Sequence, residues 1–260
     1  MLKVGLVLAS RSCHRKSVLI NVFGHTLMEA LPTVLIPGLG TDSRLYENQI
    51  AALWQFGPVM VANQTRRESM AAIAQDILSH APPRFALAGL SMGGYVALEI
   101  MLHASERVLK LALLDTTARA DTAEQTGRRK MQIEMVKAGR FTEIPGLLFP
   151  LLVHPHRRED ASLRAIVDEM FFAIGPEAHI RQQTAIMGRA DMRGALSSIR
   201  CPALIVVGDG DQLTPPALAK EISDGIGGAR LVTVPECGHL STLEQPDFVT
   251  RAFVEWLQTD

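Results

Sequence analysis

The residues that point to chemistry begin with Gly89-Leu90-Ser91-Met92-Gly93-Gly94. A serine with glycines two positions away on either side, after an apolar run and before a helical pattern, presents its hydroxyl on a sharp strand-to-helix turn. Such a turn strains the serine backbone, and small neighbours let strand and helix approach each other. It also aims the unsatisfied N–H groups of a helix start at developing negative charge. A serine hydroxyl is a weak nucleophile near neutral pH and needs a base. His239 is the candidate, because Pro235-Glu236-Cys237-Gly238-His239 follows the last apolar run and precedes the last helical pattern, with Gly238 available for a tight turn. His154, His156 and His179 lie in a charged helical interval and read as surface histidines.

A catalytic imidazole works with a carboxylate that fixes its tautomer and stabilises the imidazolium. The stretch Gly208-Asp209-Gly210-Asp211-Gln212-Leu213-Thr214-Pro215 offers two. Asp211 is favoured, because D-x-x-T-P ends the loop just before a helix. Asp209 reads as a turn residue, and Asp115, at the end of an earlier apolar run, is a third candidate. An anion site is expected at Ile36-Pro37-Gly38-Leu39-Gly40, where the backbone N–H of Leu39 and that of Met92 would together hold a tetrahedral oxyanion. The rival reading, a dinucleotide fingerprint, lacks its third glycine, and the next apolar run ends in Asn63 rather than an acid.

Elements able to position these groups follow from the pattern. Short runs rich in Val, Leu, Ile and Ala at 33–36, 59–62, 85–90, 108–114, 203–207 and 230–234 are apolar throughout, as strands covered on both faces are. Helical patterns occupy 44–55, 68–80, 93–103, 216–224 and 247–258. Their alternation predicts a doubly wound, mostly parallel sheet. Between Asp115 and Cys201 there is no strand pattern, only charged helical segments punctuated by prolines. The expectation is a helical insertion between two core strands, at the sheet end where ligands bind. Residues 1–27 carry four basic side chains and no acid. They read either as a hairpin of 3–9 with 17–23 or as an extension upstream of Met28, and not as a secretory signal.

Composition narrows the classes. With 26 basic and 27 acidic side chains and no basic block, electrostatics gives no case for nucleic acid as a partner. No apolar run approaches the roughly 18 residues of a membrane span. Cys13, Cys201 and Cys237 are too few and scattered for a disulfide framework or a zinc site, and suit a reducing cytoplasm. Cys201 and Cys237 read as packing residues.

Over residues 33–257 the chain resembles the α/β-hydrolase family, through LIPGLG at 35–40, GLSMGG at 89–94, GDGDQLTPP at 208–216 and CGHLSTLEQPDFV at 237–249. The order Ser91, Asp211, His239 is that family's nucleophile–acid–base order. The resemblance implies a core of 28–115 and 201–260 and a cap of 116–200. Residues 180–216 are similar to the cap-to-core junction of enol-lactone hydrolases and small-ester hydrolases. Pro37 departs from the pattern, since many relatives have His there. The expected activity is hydrolysis of a small carboxylic ester or lactone through an acyl-enzyme, with no metal or organic cofactor. Two other readings stand beside it: a hydrolase of C–C bonds in β-diketone-type substrates, and a non-catalytic ligand-binding protein of this fold. Met92, Met101 and the insertion's methionines are candidates for an apolar acyl pocket. Arg164, Arg181, Arg189 and Arg193 are candidates for a carboxylate clamp.

Overall fold

A computed structural model describes residues 30–259. The two readings of residues 1–27 fall outside them. The six apolar runs form strands β1 (Thr33–Ile36), β2 (Val59–Val61), β3 (Phe85–Leu90), β4 (Val108–Leu114), β5 (Ala203–Gly208) and β6 (Arg230–Val234). They make one sheet, in the order β2-β1-β3-β4-β5-β6, and every pairing is parallel. The interior strands β1, β3 and β5 are buried at every position. The edge strands differ from the expectation. In β6 only Val234 is buried, and in β2 all three residues are partly covered, because among the described residues neither edge has a neighbouring strand on its outer side.

The helices are α1 (Glu47–Leu53), α2 (Met70–His80), α3 (Met92–Ala104), α4 (Ala123–Lys137), α5 (Ile144–Leu152), α6 (Ala161–Ile174), α7 (Pro176–Met187), α8 (Pro216–Gly225), α9 (Ser241–Glu244) and α10 (Pro246–Gln258). A 3-10 turn over Ser43–Tyr46, capped by Asp42, takes the place of the first turns expected of α1. Two apolar layers flank the sheet. On one side Val34, Ile36, Leu87 and Ile205 pack with Ile73, Ile77, Val96, Ile100 and Ile222 of α2, α3 and α8. On the other, Leu35, Ala88, Leu114 and Val206 pack with Leu53, Val249 and Phe253 of α1 and α10. Phe149, Val167 and Phe171 of the insertion join this second layer, so α4–α7 rest on the core's own apolar surface. No helix among the described residues is long and apolar enough to cross a membrane.

Sheet hydrogen bonding runs past the strand ends into the loops that follow. Ser91 N–H donates to Leu114 O at 2.9 Å, Asp115 N–H to Val206 O at 2.9 Å, and Asp209 N–H to Val234 O at 3.0 Å. Three of the residues singled out in the sequence are thereby held in sheet register at the carboxyl end of the strands, where parallel sheets bind ligands.

The tightest crossing lies where β3 turns into α3. A Cβ added to Gly93 would sit 2.0 Å from the carbonyl oxygen of Ile36 in β1. Gly93→Ala is therefore expected to lower stability by roughly 1–3 kcal/mol through backbone displacement. Gly127→Ala, in the exposed face of α4 with nothing within 4 Å of the added carbon, should raise it by up to about 1 kcal/mol. Urea unfolding of the two variants beside the parent checks both signs.

Candidate active site

Ser91 occupies the turn between β3 and α3 with φ 55° and ψ −116°, a conformation that side-chain-bearing residues seldom adopt. Its carbonyl accepts from Thr116 Oγ1 at 2.8 Å and from Gly94 N–H at 2.9 Å, which fixes the turn. The hydroxyl faces His239: Ser91 Oγ and His239 Nε2 are 2.8 Å apart. On the other side of the ring, His239 Nδ1 lies 2.8 Å from Asp211 Oδ2. A continuous hydrogen-bonded chain therefore runs from hydroxyl through imidazole to carboxylate, with His239 and Asp211 each only 3% exposed.

Each member is anchored by its own loop. Asp211 Oδ1 accepts from Leu213 N–H at 2.8 Å and Thr214 N–H at 3.0 Å, and its Oδ2 accepts from Thr214 Oγ1 at 2.7 Å. This explains the D-x-x-T spacing, since the chain folds back so that residues two and three positions on cap the carboxylate. His239 is held through its neighbours. Gly238 N–H and Leu240 N–H both donate to Glu244 Oε1, and His239 N–H donates to Leu152 O at 2.9 Å. Gly238 has to be glycine, because an added Cβ would fall 2.4 Å from the backbone nitrogen of His154.

The other two aspartates do different work. Asp209 accepts from Glu236 N–H and Cys237 N–H, both at 3.1 Å, and so ties the acid loop to the histidine loop. Asp115, fully buried with φ 46°, accepts from Gly208 N–H at 3.0 Å and from Ser241 Oγ and N–H. No hydrogen bond joins either of them to His239 among the described residues.

Electrostatics separates the two buried acids nearest the imidazole. Burial raises Asp211, but His239 and the Thr214 donors outweigh it, so the carboxyl titrates below the ordinary aspartate range. Asp115 is pushed up to about 8 by burial and by the Asp211 charge. For His239, burial lowers the pKa and Asp211 raises it by more, leaving the imidazole above its usual value. Cys237 is fully buried and burial pushes its thiol far up, which leaves it inert as a nucleophile.

The loop Pro37–Gly40 lies against this chain of groups. A Cβ on Gly38 would be 3.4 Å from Ser91 Cβ. Gln64, buried and not singled out by any sequence pattern, donates through Nε2 to Pro37 O at 3.2 Å and Gly38 O at 3.0 Å. Gln182 of α7 accepts from Gly40 N–H at 3.1 Å. Neither Leu39 N–H nor Met92 N–H donates to another group among the described residues; Met92 opens α3, where helical N–H groups lack internal partners.

Ser91 and His239 open onto a cavity of about 180 Å³ whose apolar lining includes Leu148, Leu151, Leu152, Phe171, Ile186 and Leu213. Polar lining comes from α4: Gln125, Arg128, Arg129 and Gln132. None of the arginines expected to face a substrate is there. Arg164 pairs with Asp168, Arg193 with Asp191 and Glu221, Arg181 donates to Thr65 O, and Arg189 pairs with Asp121 over the ring of Tyr95. Met92 and Met101 are core residues of α3, and no methionine among the described residues lines the cavity. His179 is fully buried between Phe141 and Phe171, not on the surface. Among the described residues, no cluster of His, Cys, Asp and Glu has the geometry to hold a metal ion.

Known proteins resemble this chain in sequence and in fold. A pimeloyl-[acyl-carrier protein] methyl ester esterase of Nitrosomonas europaea is 27% identical over 192 residues, covering 72% of this chain and 76% of the relative. A thermophilic esterase from Thermogutta terrifontis matches with a TM-score of 0.80 at 27% identity, over 88% of this chain and 90% of that one. The enol-lactonase of Burkholderia xenovorans, at 24% identity and a TM-score of 0.81 over 89% and 92%, has the same fold. The family model described as "Alpha/beta hydrolase family" matches residues 33–252. With that match running from the first residue of β1 into α10, the chain belongs to the α/β hydrolase family.

Proposed function

We propose that the protein hydrolyses a small carboxylic ester or lactone through an acyl-enzyme on Ser91. The observation that carries this reading is the unbroken chain Ser91–His239–Asp211, with both links at 2.8 Å. The esterase activity named for the relatives from N. europaea and T. terrifontis supports it.

Ser91 Oγ attacks the substrate carbonyl carbon while His239 Nε2 takes the hydroxyl proton. Asp211 holds the ring through Nδ1–H and stabilises the imidazolium. The N–H groups of Leu39 and Met92 hold the tetrahedral oxyanion, an interaction worth about 3 kcal/mol per donor in such sites. His239 then protonates the departing alkoxide or enolate. A water, activated by the same nitrogen, attacks the acyl-enzyme, and collapse of the second oxyanion frees the acid and Ser91. In this reading α4–α7 serve as the cap, supplying the cavity walls above the serine.

Ser91→Ala is expected to reduce turnover of p-nitrophenyl esters by roughly 10⁴-fold or more, with a melting temperature close to that of the parent. A serine-directed fluorophosphonate should label the parent and not the variant. Labelling of both, or retained turnover, would falsify the covalent mechanism.

The pH profile tests the acid. Neutral His239 is the active form, so kcat/KM should fall as pH drops through its pKa. Because that value is raised, the midpoint should lie above about 6.5. Asp211→Asn removes the charge that raises it, so the midpoint should move to lower pH while turnover drops by roughly 10⁴-fold. Asp115→Asn should chiefly lower the melting temperature. A reversed result, with Asp115→Asn the inactive variant, would exclude Asp211 as the acid.

A further inference from the structure

The α4 part of the cavity lining is a set of polar groups carried on one helix face. Gln125, Arg129 and Gln132 are spaced by four and three residues, so they share a face of α4, with Arg128 beside them. Arg128 is half exposed and already paired with Glu124. Arg129 is different. Its side chain is 17% exposed and it shares one carboxylate, Asp121, with Arg189, whose side chain is 4% exposed. No other acid pairs with either arginine among the described residues. Two guanidinium groups and one carboxylate therefore leave one positive charge without a counter-charge, largely removed from water, at the edge of the reaction cavity.

The remaining valences of this cluster are also donors. Of the five N–H bonds of the Arg129 guanidinium, two go to Asp121 and one to Gln183 Oε1, so two are left. Gln132 accepts through Oε1 from Gln183, which turns its amide NH₂ into the group still to be satisfied. His179, next to this network, is held neutral: burial and the charge of Arg129 lower its pKa to about 4, so it adds no further proton. A buried charge without a partner is costly, and a planar guanidinium with two free N–H groups matches a carboxylate.

We infer that the α4 wall is a carboxylate subsite in which Arg129, with Gln132 beside it, binds the anionic end of an ester or lactone that also bears a free carboxylate. The rest of such a substrate lies against Leu148, Leu152 and Phe171, with its scissile carbonyl at Ser91. The inference rests on the hydrolase reading of the same cavity and adds the substrate's charge to it.

The test compares p-nitrophenyl monoesters of the dicarboxylic acids from glutaric to suberic with their carboxamide isosteres, which keep the shape and lose the charge. For the best chain length the parent should prefer the anion by roughly tenfold or more in kcat/KM. Arg129→Gln, which leaves Asp121 and Arg189 as a balanced pair, should cut that preference ratio by roughly ten- to a hundredfold. Arg129→Lys, with the charge but not the fork, should fall between, and it serves as the reading if Arg129→Gln does not fold. A parent with no preference for the anion at any length, or a ratio unmoved in the folded variants, overturns the subsite while leaving the hydrolase standing. If no ester of either kind is cleaved, the hydrolase reading fails, and calorimetric titration with the free dicarboxylates still decides the subsite. Binding that weakens tenfold or more in the Arg129 variant supports it, and equal or absent binding overturns it.

Discussion

Keeping a carboxylate charged beside an imidazole, where almost no water reaches, is the constraint around which this structure is arranged. Burial alone would protonate Asp211 and strip the proton from His239. An unpaired buried charge costs several kcal/mol, so the acid must be solvated by the protein itself. Asp211 receives two backbone N–H groups, one hydroxyl and the imidazole. Three of those donors come from within three residues of the acid. The loop is thus a short, self-contained solvation shell, and the helix that follows it begins only after Thr214 and Pro215 have closed it.

The same economy extends to the neighbouring loops. Irregular backbone near a buried site has N–H groups that cannot reach water, and each left unmet costs about 1–3 kcal/mol. Carboxylates answer this need because each oxygen accepts more than one donor. Asp209 serves two N–H groups of the histidine loop, Glu244 serves Gly238, Leu240 and His154, and Asp115 joins Gly208 to Ser241. The strand order β3-β4-β5-β6 makes these ties short, since it lays the loops bearing Ser91, Asp115, Asp211 and His239 side by side. Of several acids near the imidazole, one is bonded to it and the others hold the loops that bring it there.

Strands and nucleophile turn were legible in the sequence because their determinants are local. A strand sandwiched between helices must be apolar throughout, and Gly89 of GLSMGG answers to a steric limit set within five residues, since an added Cβ there would fall 2.2 Å from the carbonyl oxygen of Gly93. The spacing D-x-x-T-P was readable for the same reason, being a loop that solvates its own acid. What escaped is non-local. Gln64 and Glu244 act on loops through side-chain contacts that no spacing announces, and His179, in a polar stretch, is buried by two aromatic rings from other elements. The insertion's arginines show the limit most clearly. Arg164, Arg181, Arg189 and Arg193 are set apart from Arg128 and Arg129 by where the folded chain carries them, since α4, packed beside α7 through Arg129 and Gln183, is the element that brings arginines to the cavity.

That packing also gives a different meaning to the near-zero net charge. A chain with 26 basic and 27 acidic side chains has little long-range field with which to steer a charged ligand. Discrimination by charge must then act at short range, after the ligand has entered. There it is stronger per charge, because the surroundings are less polarisable than water and mobile ions are excluded. An uncompensated guanidinium on a cavity wall suits that regime, where the same group on an exposed helix would contribute little. The pairing of Asp121 with two arginines has the further consequence that Arg129 is oriented before any ligand arrives, so a carboxylate binding there need not order a long, flexible side chain.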